Sequence, residues 1–132
     1  MLNYPQVALA FMNSDHAEFV ALRSHLLDLL DRGADVGQID HQLDDLLQHT
    51  RSHFAQEEQQ MLSVHFPPYP VHKGEHDKVL QDMAHRIDRW KDTRDAATLR
   101  EWLEHGVRDW FVNHVRSMDF VTAAFISLRS GR

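Results

Sequence analysis

Apolar residues recur at intervals of three and four in four long stretches of this chain, and the strongest breakers fall between the stretches. That period belongs to helices packed on one face; no run alternates with the period of two that a half-buried strand requires. The first stretch, Asn13 to about Arg32, carries Phe19, Leu22, Leu26, Leu29 and Leu30. Asn13-Ser14-Asp15 are good N-cap types, and Gly33 suits the position just past a helix end. The second opens at Asp35, with Gln38 three residues on as in a capping box, and must stop before Pro67-Pro68. Its stripe is Ile39, Leu43, Leu46, Leu47, Phe54, Met61 and Leu62. The third starts near Pro70 and carries Val79, Leu80, Met83, Ile87 and Trp90. The fourth runs from about Asp95 past Phe120 with Leu99, Trp102, Leu103, Val107, Trp110, Phe111, Val115 and Met118. Short connections make neighbours antiparallel, so the sequence predicts an all-α, up-down-up-down four-helix bundle behind a short N-terminal arm. With 132 residues, the expectation is one domain spanning 1–132.

Composition removes several functions. Lys and Arg number 14 against 20 Asp and Glu, a net charge of −6, so the basic footprint of nucleic-acid or anionic-membrane binding is missing. The chain has no Cys, which excludes disulfides, zinc–thiolate sites and cysteine nucleophiles. No apolar run approaches a membrane span, and the opening residues lack the basic start of a signal peptide; the expected compartment is the cytoplasm. The unusual number is His, at 11 residues.

With that many histidines, a pair four apart arises by chance, so no single pair carries weight. Their position along a bundle does. The starts of helices one and three share an end with the finishes of helices two and four. His16, then His53 and Glu57, then His72 and His76, then His114 and Asp119 all fall near that end. They also continue the apolar stripes: His53 beside Phe54, His76 in line with Val79 and Leu80, His114 among Trp110, Phe111 and Val115. Buried imidazoles and carboxylates need partners, and with no Cys present, five imidazoles facing two carboxylates predict a metal site. His25, His85 and His105 lie nine residues from His16, His76 and His114, half a turn out of phase, and are expected at the surface with His41 and His65. His49, one turn before His53, fits helix packing, a place behind the ligands or a proton path.

Seven donors exceed what one octahedral ion takes. Two ions accommodate them: five histidines, two bridging carboxylates and one bridging oxygen fill all but one of the positions around the pair. Apolar walls around the open position would favour a small neutral molecule, and two adjacent iron(II) ions can each give an electron to dioxygen.

The ordered motifs Asp15-His16, His53-Phe54-Ala55-Gln56-Glu57-Glu58 with Met61, Phe66-Pro67, His72-Lys73-Gly74-Glu75-His76 and His114-Val115-Arg116-Ser117-Met118-Asp119 resemble the bacterial hemerythrins from Ser14 to Asp119. The resemblance implies reversible dioxygen binding at a non-haem di-iron centre, for storage, delivery or sensing. It assigns His72, His76 and His114 to one iron. His16 and His53 hold the other, which keeps the open position. Glu57, Asp119 and an oxo or hydroxo group would bridge the two. It also implies a dioxygen pocket of Phe19, Phe54, Trp110, Phe111, Val115 and Met118. In this chain the arm has no Trp, and Asp15 replaces the family's frequent Gln before the first ligand. The alternative is a di-iron peroxidase or nitric-oxide-handling oxidoreductase, which usually needs a proton donor over the open position. A ferritin-like oxidase would instead be rich in carboxylates and Glu-x-x-His pairs. A third class is a regulatory module that signals through a partner.

His114 and Asp119 pose a geometric problem. Five residues leave them 140° apart on an ideal α-helix, against about 40° for the four-spaced pairs. Either Asp119 enters from the flank, or the helix widens locally to a π-turn, which we favour.

Overall fold

The computed structural model describes residues 2–130; the outermost ends of the expected 1–132 domain, Met1 and Gly131-Arg132, lie outside the described residues. Three uninterrupted helices come first: α1 (Ala10–Asp31), α2 (Val36–Ser63) and α3 (Tyr69–Thr93). The fourth rod is assembled from α4 (Ala96–Glu101), α5 (Val107–His114) and α6 (Phe120–Arg129). Wide turns, Trp102–Gly106 and Val115–Asp119, join its pieces. Helix α1 packs on α2, α2 on α3, α3 on the start of the fourth rod, and that rod returns to α1. No strand occurs among the described residues, and the architecture is the expected all-α four-helix bundle. No described helix is long and apolar enough to cross a membrane.

The joints follow from local chemistry. Gly33 takes a left-handed φ of 63° after α1, a conformation that glycine adopts without strain. Asp35 caps α2 by accepting from the Gly37 N–H, and Asp95 caps α4 by accepting from the Thr98 N–H. The reversal after α3 needs another left-handed residue, Arg94 at φ 53°. Its guanidinium grips both oxygens of Asp40 and lies over the Trp90 ring, whose Nε1 also donates to Asp40. That cluster ties the end of α3 to α2 at the end of the bundle remote from His16.

One expected boundary is corrected. Helix α1 starts at Ala10, not Asn13, and its N-cap Leu9 offers no side-chain cap. Asn13 serves the arm instead: its Oδ1 accepts from the Val7 N–H and its Nδ2 donates to the Val7 carbonyl. Having both a donor and an acceptor, Asn13 satisfies both backbone groups of one arm residue. Tyr4 then packs edge-on against Phe111 and His16. Leu62, expected in the stripe of α2, is exposed.

The core has two parts. A large cluster includes Leu26, Leu43, Leu46, Met83, Ile87 and Leu103; a small one joins Met61, Phe66 and Ile126. Along α2, His53 and Glu57 sit between Leu46 of the large cluster and Met61 of the small one. Buried polar residues are thus enclosed between two apolar layers.

Candidate metal centre

All seven residues singled out from the sequence are buried and converge. Their donor atoms form two overlapping groups, each with its atoms within 4.8 Å of one another: Glu57, His72, His76, His114 and Asp119, and His16, His53, Glu57 and Asp119. The two carboxylates belong to both groups; the histidines divide three and two. His16 Nε2 stands 2.9 Å from Asp119 Oδ2, and His53 Nε2 is 2.6 Å from Glu57 Oε2. His72 and His114 bring Nε2 to 3.2 and 3.1 Å from Asp119 Oδ1, and His76 Nε2 lies 3.3 Å from Glu57 Oε1.

The wide turn Val115–Asp119 makes the last pair possible. Phe120 N–H bonds five residues back to the Val115 carbonyl, so the favoured π-turn is present. In a turn closed that way, residues five apart fall on nearly one face, and Asp119 reaches the same centre as His114.

Side chains behind the ligands fix their rings. His53 Nδ1 donates to Asp15 Oδ2 (2.7 Å) and His76 Nδ1 to Glu58 Oε2 (2.9 Å), while His72 Nδ1 pairs with the Thr122 hydroxyl (2.8 Å). With the proton held on Nδ1, the Nε2 lone pair faces the centre, an arrangement typical of metal-ligating histidines. Phe54 stacks flat on His76 at 3.8 Å, and Trp110 lies on His114 at 4.8 Å.

The centre is under-bonded as a set of protein groups alone. Both Glu57 oxygens, Asp119 Oδ1 and the Nε2 atoms of His72, His76 and His114 are buried without a hydrogen-bond partner. Buried polar atoms are rarely left so, and six pointing at one spot match a donor set made for cations. Charge supports the fit. Burial raises the Glu57 and Asp119 carboxyls, Glu57 further through Asp119, but adjacent histidines outweigh this and hold both below their ordinary values, Asp119 well below. Burial lowers His53, yet Glu57 and Asp15 against it lift its pKa to about 9; burial likewise opposes, and Asp119 overcomes, in raising His114. Without metal, the site holds protons where cations would sit.

A cavity of about 10 Å³, room for the centre of about one water-sized molecule, lies against His53, His114 and Asp119. Phe19, Phe54, Trp110 and Phe111 of the expected pocket line it; Val115 is fully buried and Met118 half-buried, and neither borders it. Two polar residues do, His49 and Thr50, but both are turned to backbone carbonyls: His49 Nε2 donates to Asp15 O and Thr50 Oγ1 to Leu46 O. His25, His41, His65, His85 and His105 are exposed, as their phase requires. Sequence reading missed the supporting roles of Asp15, Glu58 and Thr122 and the contact of Tyr4. Thr122 had a signal, a hydroxyl one turn past Asp119 on the same face.

A four-helix bundle enclosing a five-His, two-carboxylate cluster defines a non-haem metalloprotein whose centre is built from all four rods. The chain belongs to the hemerythrin family: residues 7–126 match the hemerythrin HHE cation binding domain. It is 32% identical over 118 residues to a bacteriohemerythrin of Aquifex aeolicus, covering 89% of each chain. It is 31% identical over 122 residues to a bacteriohemerythrin of Ralstonia nicotianae, covering 91% of this chain and 82% of that one. A hemerythrin of Themiste dyscrita is 32% identical over 78 residues, 59% of this chain and 57% of the relative. No solved structure matches the chain.

Proposed function

We propose that this protein binds dioxygen reversibly at a di-iron centre, for storage, delivery or sensing. The observation that carries the reading is the pair of donor groups that share Glu57 and Asp119 beside a cavity of about 10 Å³ walled by Phe19, Phe54, Trp110 and Phe111. His72, His76 and His114 would hold one ion and His16 and His53 the other, with Glu57 and Asp119 bridging. When bound, two adjacent ferrous ions supply the two electrons that reversible dioxygen binding requires.

The chain's own residues do the rest. Asp15 and Glu58 keep protons on the Nδ1 atoms of His53 and His76, and the Thr122 hydroxyl pairs with that of His72, so the Nε2 atoms face inward. Phe54 and Trp110 cover His76 and His114 and keep bulk water from the ligands. The cavity's size selects a diatomic over larger molecules, and its aromatic walls disfavour anions. His49 and Thr50, the polar groups nearest the cavity apart from the ligands, are committed to carbonyls, so no free acid is poised over it. That favours binding over the peroxidase or nitric-oxide-handling alternative. We read residues 1–132 as one such domain, in the cytoplasm.

Metal analysis with an optical spectrum, taken before and after dioxygen is admitted and then removed, tests the reading. About two irons per chain, with a spectral change that reverses, are expected. Steady consumption of hydrogen peroxide with an added electron donor, and no reversible change, would select the enzyme.

A further inference from the structure

The small cavity beside the proposed metal centre has a larger neighbour. A cleft of about 400 Å³ runs between α3 and the fourth rod, with Met83, Trp102 and Val107 on its floor and Glu75 and Asp82 on its rim. The cleft and the small cavity share two residues, Phe19 and Trp110. Phe19 is buried and packed flat on Phe111 at 4.9 Å. Trp110 is only half-buried; one face lies on His114, and its Nε1 donates to Glu75 Oε2 at 2.8 Å. The indole is therefore the wall between the outside cleft and the ligand cavity, and a single side-chain hydrogen bond ties its edge to α3.

From this arrangement we infer that small neutral molecules reach the metal centre through the α3–fourth-rod cleft, and that the Glu75–Trp110 hydrogen bond is the latch holding that passage closed. The inference rests on the ligand-binding function proposed above. Glu75 is a positioning residue: it borders the cleft, not the small cavity, and acts through the indole. Other walls are less suited to opening. Phe54 is pinned against His76 at 3.8 Å, and Phe111 is held between Phe19 and Tyr4. A gate on a passage changes entry and exit by one factor and leaves the equilibrium untouched. A residue that touches the bound ligand changes the equilibrium. Because a hydrogen bond to a charged acceptor is worth roughly 1.5–3 kcal/mol, and Trp110 is partly solvated, the low end, about a tenfold gain in opening, is expected on losing it.

Three variants and two readouts test this. In the metal-free protein, hydrogen exchange of the Trp110 indole N–H, followed by NMR, should speed about tenfold in Glu75→Ala and return to near the parent rate in Glu75→Gln, which keeps an acceptor. In the iron-loaded, reduced protein, stopped-flow association and dissociation of dioxygen should both rise about tenfold in Glu75→Ala, with affinity within about twofold. Asp82→Trp adds bulk from an exposed rim position that carries no core packing, and should slow both rates together. Unchanged indole exchange in Glu75→Ala would overturn the latch. Faster exchange with unchanged ligand rates, or unchanged rates in a folded Asp82→Trp, would overturn the passage. Should no variant, the parent included, bind dioxygen, the functional reading fails, and nitric oxide replaces it as the diffusing probe for the same comparison.

Discussion

At the scale of single residues, the ligands of the proposed centre are ordinary side chains made exceptional by burial. Glu57 and His76 are wholly removed from solvent, and an unpaired charge there would be costly. Metal ions resolve this by replacing protons. His53 illustrates the sign. Its pKa of about 9 in the metal-free chain lies above the ordinary 6.5, so at neutral pH it carries a proton that metal must displace. Iron uptake should therefore release protons, and apparent affinity should climb between pH 7 and about 9; a buffer-dependent calorimetric titration checks both. The same raised value of His53 stabilises the metal-free fold fully below pH 6.5, and that contribution fades as pH rises through about 9; His114, raised by Asp119, acts in the same direction. Melting of the metal-free protein across this window should show falling stability. Behind the ligands, Glu58→Ala and Thr122→Val should each weaken metal binding by about 10–100-fold without unfolding the chain, measured by chelator competition. The convergence of the seven residues was legible because they combine apolar-stripe phase with one end of the bundle. Their supports were harder to read: Glu58 sits one residue off the stripe, and Thr122 offered only an uncharged hydroxyl one turn past Asp119.

At the scale of elements, the fourth rod separates what spacing reveals from what it hides. The turn at Val115–Asp119 was foreshadowed by a five-residue interval between two donors that must meet. Deleting Ser117 should turn that stretch into regular α-helix and leave Asp119 four residues after His114, about 40° away and still on the face of the centre. Metal content should therefore survive while circular dichroism stays helical; loss of metal from a folded deletion variant would show that the wide turn itself is needed to bring Asp119 to the site. The second wide turn, Trp102–Gly106, joins no pair of donors and left no trace in the sequence. Its support is equally hidden: Arg23 of α1, a surface-type residue by composition, is buried and donates to the carbonyls of Leu103 and Glu104. Replacing it by Met should cost about 1–3 kcal/mol in denaturant unfolding by stranding those carbonyls. The start of α1 was misplaced for a related reason, because a capping type such as Asn13 is also the best clamp for an arm that folds back.

At the scale of the molecule, the donors come from all four rods, so bound metal cross-links the bundle that the apolar stripes assemble. Four stripes and their breakers were enough to read the fold, whereas the cleft beside Trp110 depends on how neighbouring rods settle and has no pattern of its own. Metal removal from an iron-saturated sample should lower the melting midpoint. A ligand at a thousand times its dissociation constant stabilises by about 4 kcal/mol, and each kcal/mol is worth roughly 3–5 °C in a chain this size, so a drop of about 10–20 °C is expected. The central claim, that this bundle holds an iron pair for reversible dioxygen binding, is tested most directly by gas uptake. The reduced, iron-loaded protein should take up about one dioxygen per two irons, release it under vacuum, and repeat the cycle without loss. Uptake that cannot be reversed, or none at all in a protein holding its full iron, would contradict it.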